Sequence, residues 1–485
     1  MKFSIVFTLL FLAAFHLSAQ GKSDYTELSD TAWELYSAEK YEEATALYNR
    51  LVLEYKTDRG ENYYMAACCS ALAGKLDAGL EYTQKSVDFG FWKQLDLYKT
   101  DPDLDTLRQL PGWKGIIENV NTKVTEQVEV LKNRAKLFTR DKFGKDRMDV
   151  LIMKLDQLNE TEGEELIRVL SKMSVYPDYQ TDTTTHLCFW LEYKDSLEVP
   201  FLVQLPAGFS NNRPHPLFFQ LHGGVRHIEE YPAWLDESNA AGWNRYFSEQ
   251  ADSTGMIMVY PYATKRHNWM TTDDGFDLIP KIIRQLKLMF NIDENRVYLS
   301  GHSNGATGSF SYAIKNQTLF ARFFGLNTHP QVYTGGTFIR NLTNTHFHNV
   351  STDMDYYYPQ TGIDSLLILS KKYDLGFSND LYLGFPHWFP EFDESEPAIA
   401  EFFKQARSHS RNPFSKDLYW ECDNLDNNRV HWLEILELDT LQSPAFWHKN
   451  INYTVSNWVD VDDETQTIPD YSEMAFKYPR RSAAV

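Results

Sequence analysis

The stretch "RVYLSGHSNGATGSF", Arg296 to Phe310, constrains the fold of this chain more than any other. Val297 to Ser300 read as a short apolar strand, and the small residues from about Ala306 read as a helix. Between them stands Ser303, with Gly301 and Gly305 two positions to either side. A strand that turns into a helix over so few residues bends its backbone sharply, and bulk at the flanking positions would strike the adjacent strand. The bend pushes the serine hydroxyl out at the carboxy edge of a sheet. The helix N-terminus beneath it favours a developing negative charge.

The chain supplies a sheet for that strand. "HLCFWLEY", "VPFLVQLP", "LFFQLHGG" and "GMIMVYPY" are short runs rich in β-branched and aromatic residues, the later ones almost continuously apolar, as buried central strands are. In "FDLIPKIIRQLKLMF", Ile279, Ile282, Ile283, Leu286, Met289 and Phe290 form one apolar helical stripe. Strand, helix, strand predicts a mostly parallel α/β sheet. "FARFFGL", "THFHNV" and "NDLYLGF" extend it to about eight strands.

Upstream, the pattern is helical. In "AWELYSAEKYEEATALYNRL" and "ACCSALAGKLDAGLEYTQKS", Ala32, Leu35, Tyr41, Ala44, Tyr48 and Leu51 recur 35 residues later as Ala67, Ser70, Leu76, Gly79, Thr83 and Ser86. Small residues alternating with large ones at this offset resemble a pair of tetratricopeptide helix hairpins, although Gly79 and Thr83 stand where that repeat has an alanine and an aromatic. Such a region implies a helical cap and a possible protein partner; two repeats make only a shallow groove. "DPDLDTLRQLPGWKGII" reads as a further helix. At the other end, "KDLYWECDNLDNNRVHWLEILEL" reads as two strands joined by an Asn and Asp turn.

"LHGG" followed by "GHSNG" resembles the α/β-hydrolase superfamily, and within it the polyhydroxybutyrate-depolymerase-like and feruloyl-esterase-like serine carboxylesterases. The resemblance implies a cofactor-independent serine hydrolase with a triad in the order serine, acid, histidine. Ser303 is then the nucleophile. The family's acid stands on a loop after a strand, four residues before a proline, which fits Asp355 and Pro359 in "NVSTDMDYYYP", with Asp353 as the alternative. His387, in "LYLGFPHWFP", matches the family's "GGHxWP" loop, except that Phe385 and Pro386 replace the glycines. The resemblance further implies an oxyanion site made by the backbone N–H of Asn304 and of Gly223 or Gly224, and makes His222 and His302 structural. His409, His431 and His448 lie past the last expected strand.

Tyr356, Tyr357, Tyr358 and Trp388 flank the proposed acid and base, and aromatic platforms suit sugar rings and phenolic acyl groups. A small-molecule or polysaccharide-linked ester, such as a feruloyl or acetyl ester, is the expected substrate. Three rival readings stay open. His346 and His348 in "THFHN", with Asp353 and Asp355, could hold a metal, but an HxHxDH run is missing and no metal is expected. A prolyl-oligopeptidase-like peptidase shares the elbow, but no 40-residue strand repeat of a propeller precedes it. A binding protein with an inactive hydrolase domain is the third.

The 485 residues accommodate several domains, and the net charge of −20 repels nucleic acid. Four cysteines without CxxC spacing do not suggest a disulfide framework. "MKFSIVFTLLFLAAFHLSA" reads as a signal peptide, which implies a secreted or periplasmic protein, and no later segment is long and apolar enough to span a membrane. The expected domains are residues 1–19, signal peptide; 20–130, tetratricopeptide-like; 131–185, helical connector; 186–412, α/β-hydrolase; and 413–485, a small β extension.

Overall fold

A computed structural model describes residues 24–55, 58–138, 178–232 and 235–438, a few positions between 149 and 176, and 483–484. The expected signal peptide and most of the expected connector lie outside the described residues. The chain forms two compact units, 1–133 with 230–242, and 134–229 with 243–485.

The first unit is helical. Helices α1 (Asp24–Ser37), α2 (Tyr41–Glu54), α3 (Arg59–Leu72) and α4 (Leu76–Asp88) each pack on the next. Positions 35 residues apart share burial: Ala32 with Ala67, Ala44 with Gly79, Tyr48 with Thr83, and Leu51 with Ser86. Gly79 is small because Leu107 needs the space; a β-carbon there would lie 2.9 Å from its Cδ2. The single helix expected in "DPDLDTLRQLPGWKGII" is instead two short helical turns, followed by α5 (Pro111–Arg134), which opens on its proline. Proline is tolerated there because the first-turn N–H has no intrahelical acceptor. Segment 230–242, expected in the hydrolase domain, joins this unit through Lys99 to Glu230 (2.7 Å) and Gln127 to Asp236 (3.1 Å).

The second unit holds an eight-stranded sheet: β1 (Thr185–Tyr193), β2 (Leu197–Leu205), β3 (His215–Leu221), β4 (Ile257–Pro261), β5 (Ile292–Gly301), β6 (Arg322–Leu326), β7 (Phe347–Met354) and β8 (Phe377–Pro386). Their order is β1-β2-β4-β3-β5-β6-β7-β8, parallel from β4 to β8, with β2 antiparallel to both neighbours. Every residue of β3 and β4 is buried, which is why these strands read as almost continuous apolar runs, broken in β3 only by His215 and Gln220. The intervening helices are α6 (Arg245–Thr254), α7 (Leu278–Met289), α8 (Asn304–Lys315), α9 (Gln360–Tyr373) and α10 (Glu396–Ser408). Phe218 of β3 stacks on Phe403 of α10 with ring centres 4.5 Å apart. This is the α/β-hydrolase fold, mostly parallel and joined to an all-α region.

The C-terminal extension differs from the expected pair of strands. Arg429–Val430 pairs with Leu433–Glu434, and Glu421–Cys422 pairs instead with Ala483–Ala484. Side-chain bonds displace the longer ladder: both Asn341 and Asn344 bond the backbone of residues 419–421, and the Trp420 indole donates to the Asn427 carbonyl. The extension packs within the sheet unit. All four cysteine side chains are buried thiols.

Candidate active site

The turn at Ser303 explains the glycines around it. Ser303 has φ +56 and ψ −122, a conformation that side chains rarely adopt. It is held there by bonds from its N–H to the Leu326 carbonyl (3.0 Å) and from the His302 N–H to the Leu221 carbonyl (3.1 Å). A β-carbon on Gly305 would lie 2.0 Å from the Leu221 oxygen, and one on Gly301 would lie 2.2 Å from the Gly305 carbonyl carbon. The helix begins directly at Asn304, two residues before the position the sequence suggested, because the turn needs no spacer. As a first-turn residue, Asn304 has an N–H with no acceptor within the helix.

β7 ends at Met354, which places Asp355 on the following turn, and β8 ends at Pro386, which delivers His387. The His387 Nε2 lies 2.8 Å from Ser303 Oγ, and its Nδ1 lies 2.7 Å from Asp355 Oδ2. All three residues are buried, with His387 only 2% exposed. The second carboxylate oxygen of Asp355 accepts the N–H groups of Tyr357 and Tyr358, each at 2.9 Å. With those bonds and the Nδ1–H, the carboxylate is oriented on both oxygens. Asp353 is exposed and accepts the Gly384 N–H.

Gly223 packs directly against Ser303: a β-carbon there would lie 2.9 Å from Ser303 Cβ and 3.4 Å from its Oγ. Gly224 follows with φ +67. His222 Nδ1 donates to the Gly223 carbonyl (2.7 Å), while its Nε2 accepts the Ala263 N–H (3.0 Å). This fixes one neutral tautomer and the plane of the Gly223–Gly224 peptide. Burial pushes the His222 pKa down to about 4, in keeping with that neutral form.

The aromatic residues singled out in the sequence do not share one environment. Tyr356 is 59% exposed. Tyr357 and Trp388 have ring centres 5.0 Å from the His387 ring. The Tyr358 hydroxyl accepts the Asn304 Nδ2 at 2.6 Å, and burial raises its pKa, so the phenol stays neutral. Trp243, which lies 144 residues before His387 and which no motif marks, sits 5.0 Å from His302 and 5.9 Å from Trp388.

The other histidines lie elsewhere. His346 Nε2 and His348 Nδ1 both bond Ser378 Oγ, at 2.7 and 2.8 Å, and among the described residues they form no ligand cluster with Asp353 and Asp355. Cys68, Asp101 and Asp103 in the helical unit do come within 4.8 Å of one another, but the Tyr64 and Tyr36 hydroxyls hold the two carboxylates. His409 Nδ1 bonds the Gln405 carbonyl, and His448 lies outside the described residues.

No protein-family model matches the chain. Among curated proteins it is similar to the bifunctional acetylxylan esterase/xylanase XynS20E of Neocallimastix patriciarum, 32% identical over 160 residues, which are 31% of this chain and 21% of that one. The chain thus spans about a fifth of the length of the curated relative it matches. Similar solved structures include a thermostable esterase, with 19% identity, TM-score 0.39, and coverage of 47% of this chain and 63% of that one. Another is a ferulic acid esterase, with 12% identity, TM-score 0.37, and coverage of 47% and 100%. A third is the CE1 ferulic acid esterase from the anaerobic fungus Anaeromyces mucronatus, with 17% identity, TM-score 0.36, and coverage of 47% and 90%. No helix among the described residues is long and apolar enough to cross a membrane.

Proposed function

We propose that this α/β-hydrolase-fold chain is a carboxylic ester hydrolase that works through Ser303, His387 and Asp355. The observation that carries the reading is the continuous hydrogen-bonded line from Ser303 Oγ through both nitrogens of His387 to Asp355. In the proposed reaction, His387 Nε2 takes the Ser303 proton as Oγ attacks the ester carbonyl. Asp355 holds Nδ1–H and balances the imidazolium charge. The carbonyl oxygen becomes an oxyanion held by the N–H groups of Asn304 and Gly224, with Gly223 leaving the approach open. His387 then returns its proton to the leaving alcohol, and water repeats the sequence on the acyl-enzyme.

The similarity to an acetylxylan esterase/xylanase supports an acetyl group carried on a carbohydrate; a feruloyl ester, to which the resemblance of the sequence motifs points, is the other member of the proposed substrate class. Tyr356, Tyr357, Trp388 and Trp243 are suitable surfaces for a sugar or phenolic ring. We further propose export by the 1–19 leader, and a tetratricopeptide-like role for the helical unit in holding a protein partner; the matched burial at 35-residue spacing supports the repeat.

A fluorophosphonate probe tests the reading. Wild type labels and Ser303→Ala does not. Equal labelling of the two, or none in either, refutes it.

A further inference from the structure

We infer that Asn327, acting with His302 and Thr352, is a positioning residue that holds the His387 imidazole on Ser303 through the backbone of the histidine loop. The inference rests on the Ser303–His387 reading above. The His387 carbonyl accepts two side-chain donors: His302 Nε2–H at 2.8 Å and Asn327 Nδ2 at 2.9 Å. One residue earlier, the Pro386 carbonyl accepts the Thr352 hydroxyl at 3.1 Å, and Asn327 Nδ2 also reaches Thr352 Oγ1 at 3.1 Å. All three side chains are buried, at 5% exposure for His302 and 1% for Asn327 and Thr352.

These donors come from three different strand ends. His302 adjoins Ser303, Asn327 follows β6, and Thr352 lies in β7 three residues before Asp355. The histidine loop is therefore registered against the segments that carry the other two members of the triad. Pro386 explains why carbonyls carry this load, since proline has no N–H to anchor the loop. The His387 carbonyl can only accept, so the proton of this bond sits on His302 Nε2; burial, then the neighbouring His387, lowers the His302 pKa to about 3 and keeps the imidazole neutral. Asn327 itself has φ +54, a left-handed backbone that asparagine and glycine tolerate and most residues do not.

A misplacement of about 1 Å in a reacting group costs on the order of 100-fold in rate. Asn327→Gly keeps the left-handed backbone and removes the side chain that carries the amide. Its kcat on p-nitrophenyl acetate is expected to fall about 10- to 100-fold with KM within about twofold, the signature of an interaction that matters in the transition state. Thr352→Val, which keeps the shape of the side chain, is expected to lower kcat in the same way, and Thr352→Ser to restore it. Wild type and His387→Ala run alongside. If His387→Ala turns over like wild type, the triad reading falls, whatever Asn327 does. If His387→Ala is inactive while folded Asn327→Gly and Thr352→Val keep wild-type kcat, or lose only KM, the positioning role is overturned and the triad reading stands.

Discussion

Asp423 of the C-terminal extension holds the ammonium group of Lys315, at the end of α8, at 2.6 Å, and both side chains are almost completely shielded from water. The carboxylate is also tied to the Gly336 N–H at 2.9 Å. Burial lowers the Lys315 pKa and Asp423 raises it again, so each charge depends on the other. Removing one partner strands a buried charge, which costs about 3–5 kcal/mol. Lys315→Met and Asp423→Asn should each lower stability in urea denaturation by that order, and the double variant should lose less than the sum. Full additivity would mean that the two groups do not interact.

The two neighbouring aspartates separate cleanly. Asp355 faces His387 Nδ1, whereas exposed Asp353 caps the Gly384 N–H. Asp355→Asn leaves the imidazole without its charge partner and should lower kcat by about 10⁴-fold, the scale known for this substitution in such triads. Asp353→Asn should stay within about threefold of wild type, as surface substitutions do. Steady-state kinetics on p-nitrophenyl acetate decides, and the reverse ranking would move the acid to position 353.

Two glycine substitutions should have opposite signs. A β-carbon on Gly305 meets the backbone oxygen of Leu221 at 2.0 Å, where no side-chain rotation relieves it, whereas one on Gly115 in α5 meets nothing within 4 Å. Gly305→Ala should destabilise by about 4 kcal/mol or more. Gly115→Ala should stabilise by about 0.5–1 kcal/mol, through the helix preference of alanine. Chemical denaturation of both variants checks the pair.

Acid should weaken the sheet unit and not the helical one. Burial lowers the pKa of His222, His267 and His346 to about 4, below the ordinary histidine value of about 6.5. Between those limits the unfolded chain binds protons that the fold excludes, so stability falls as pH drops from about 6.5 to about 4, by up to about 1.4 kcal/mol per unit of depression at each site. Asp101 in the helical unit has the opposite sign. Burial raises its pKa to about 6, so the fold binds its proton more tightly than the unfolded chain and gains stability as pH falls below about 6. Hydrogen exchange between pH 7 and pH 4 should show protection lost first across residues 186–229 and 243–438 and kept across 24–133. The reverse order would refute the assignment of these signs.

Much of the arrangement was legible in local sequence, and the reason is the range of the forces involved. Strand runs such as "MIMVYP", the apolar stripe from Ile279 to Met289 and the glycines about Ser303 are set by burial and backbone sterics over a few residues, so their order along the chain marks eight strands and the elbow. What local pattern could not supply is contact between distant residues. The carbonyl anchors of His387 come from positions 302, 327 and 352, Trp243 reaches Trp388 across the sheet edge, and the capture of residues 419–421 by Asn341 and Asn344 breaks a hairpin that propensity favoured. A single amide or hydroxyl leaves no periodic trace. Its role is decided only when tertiary packing removes water and leaves one carbonyl within reach.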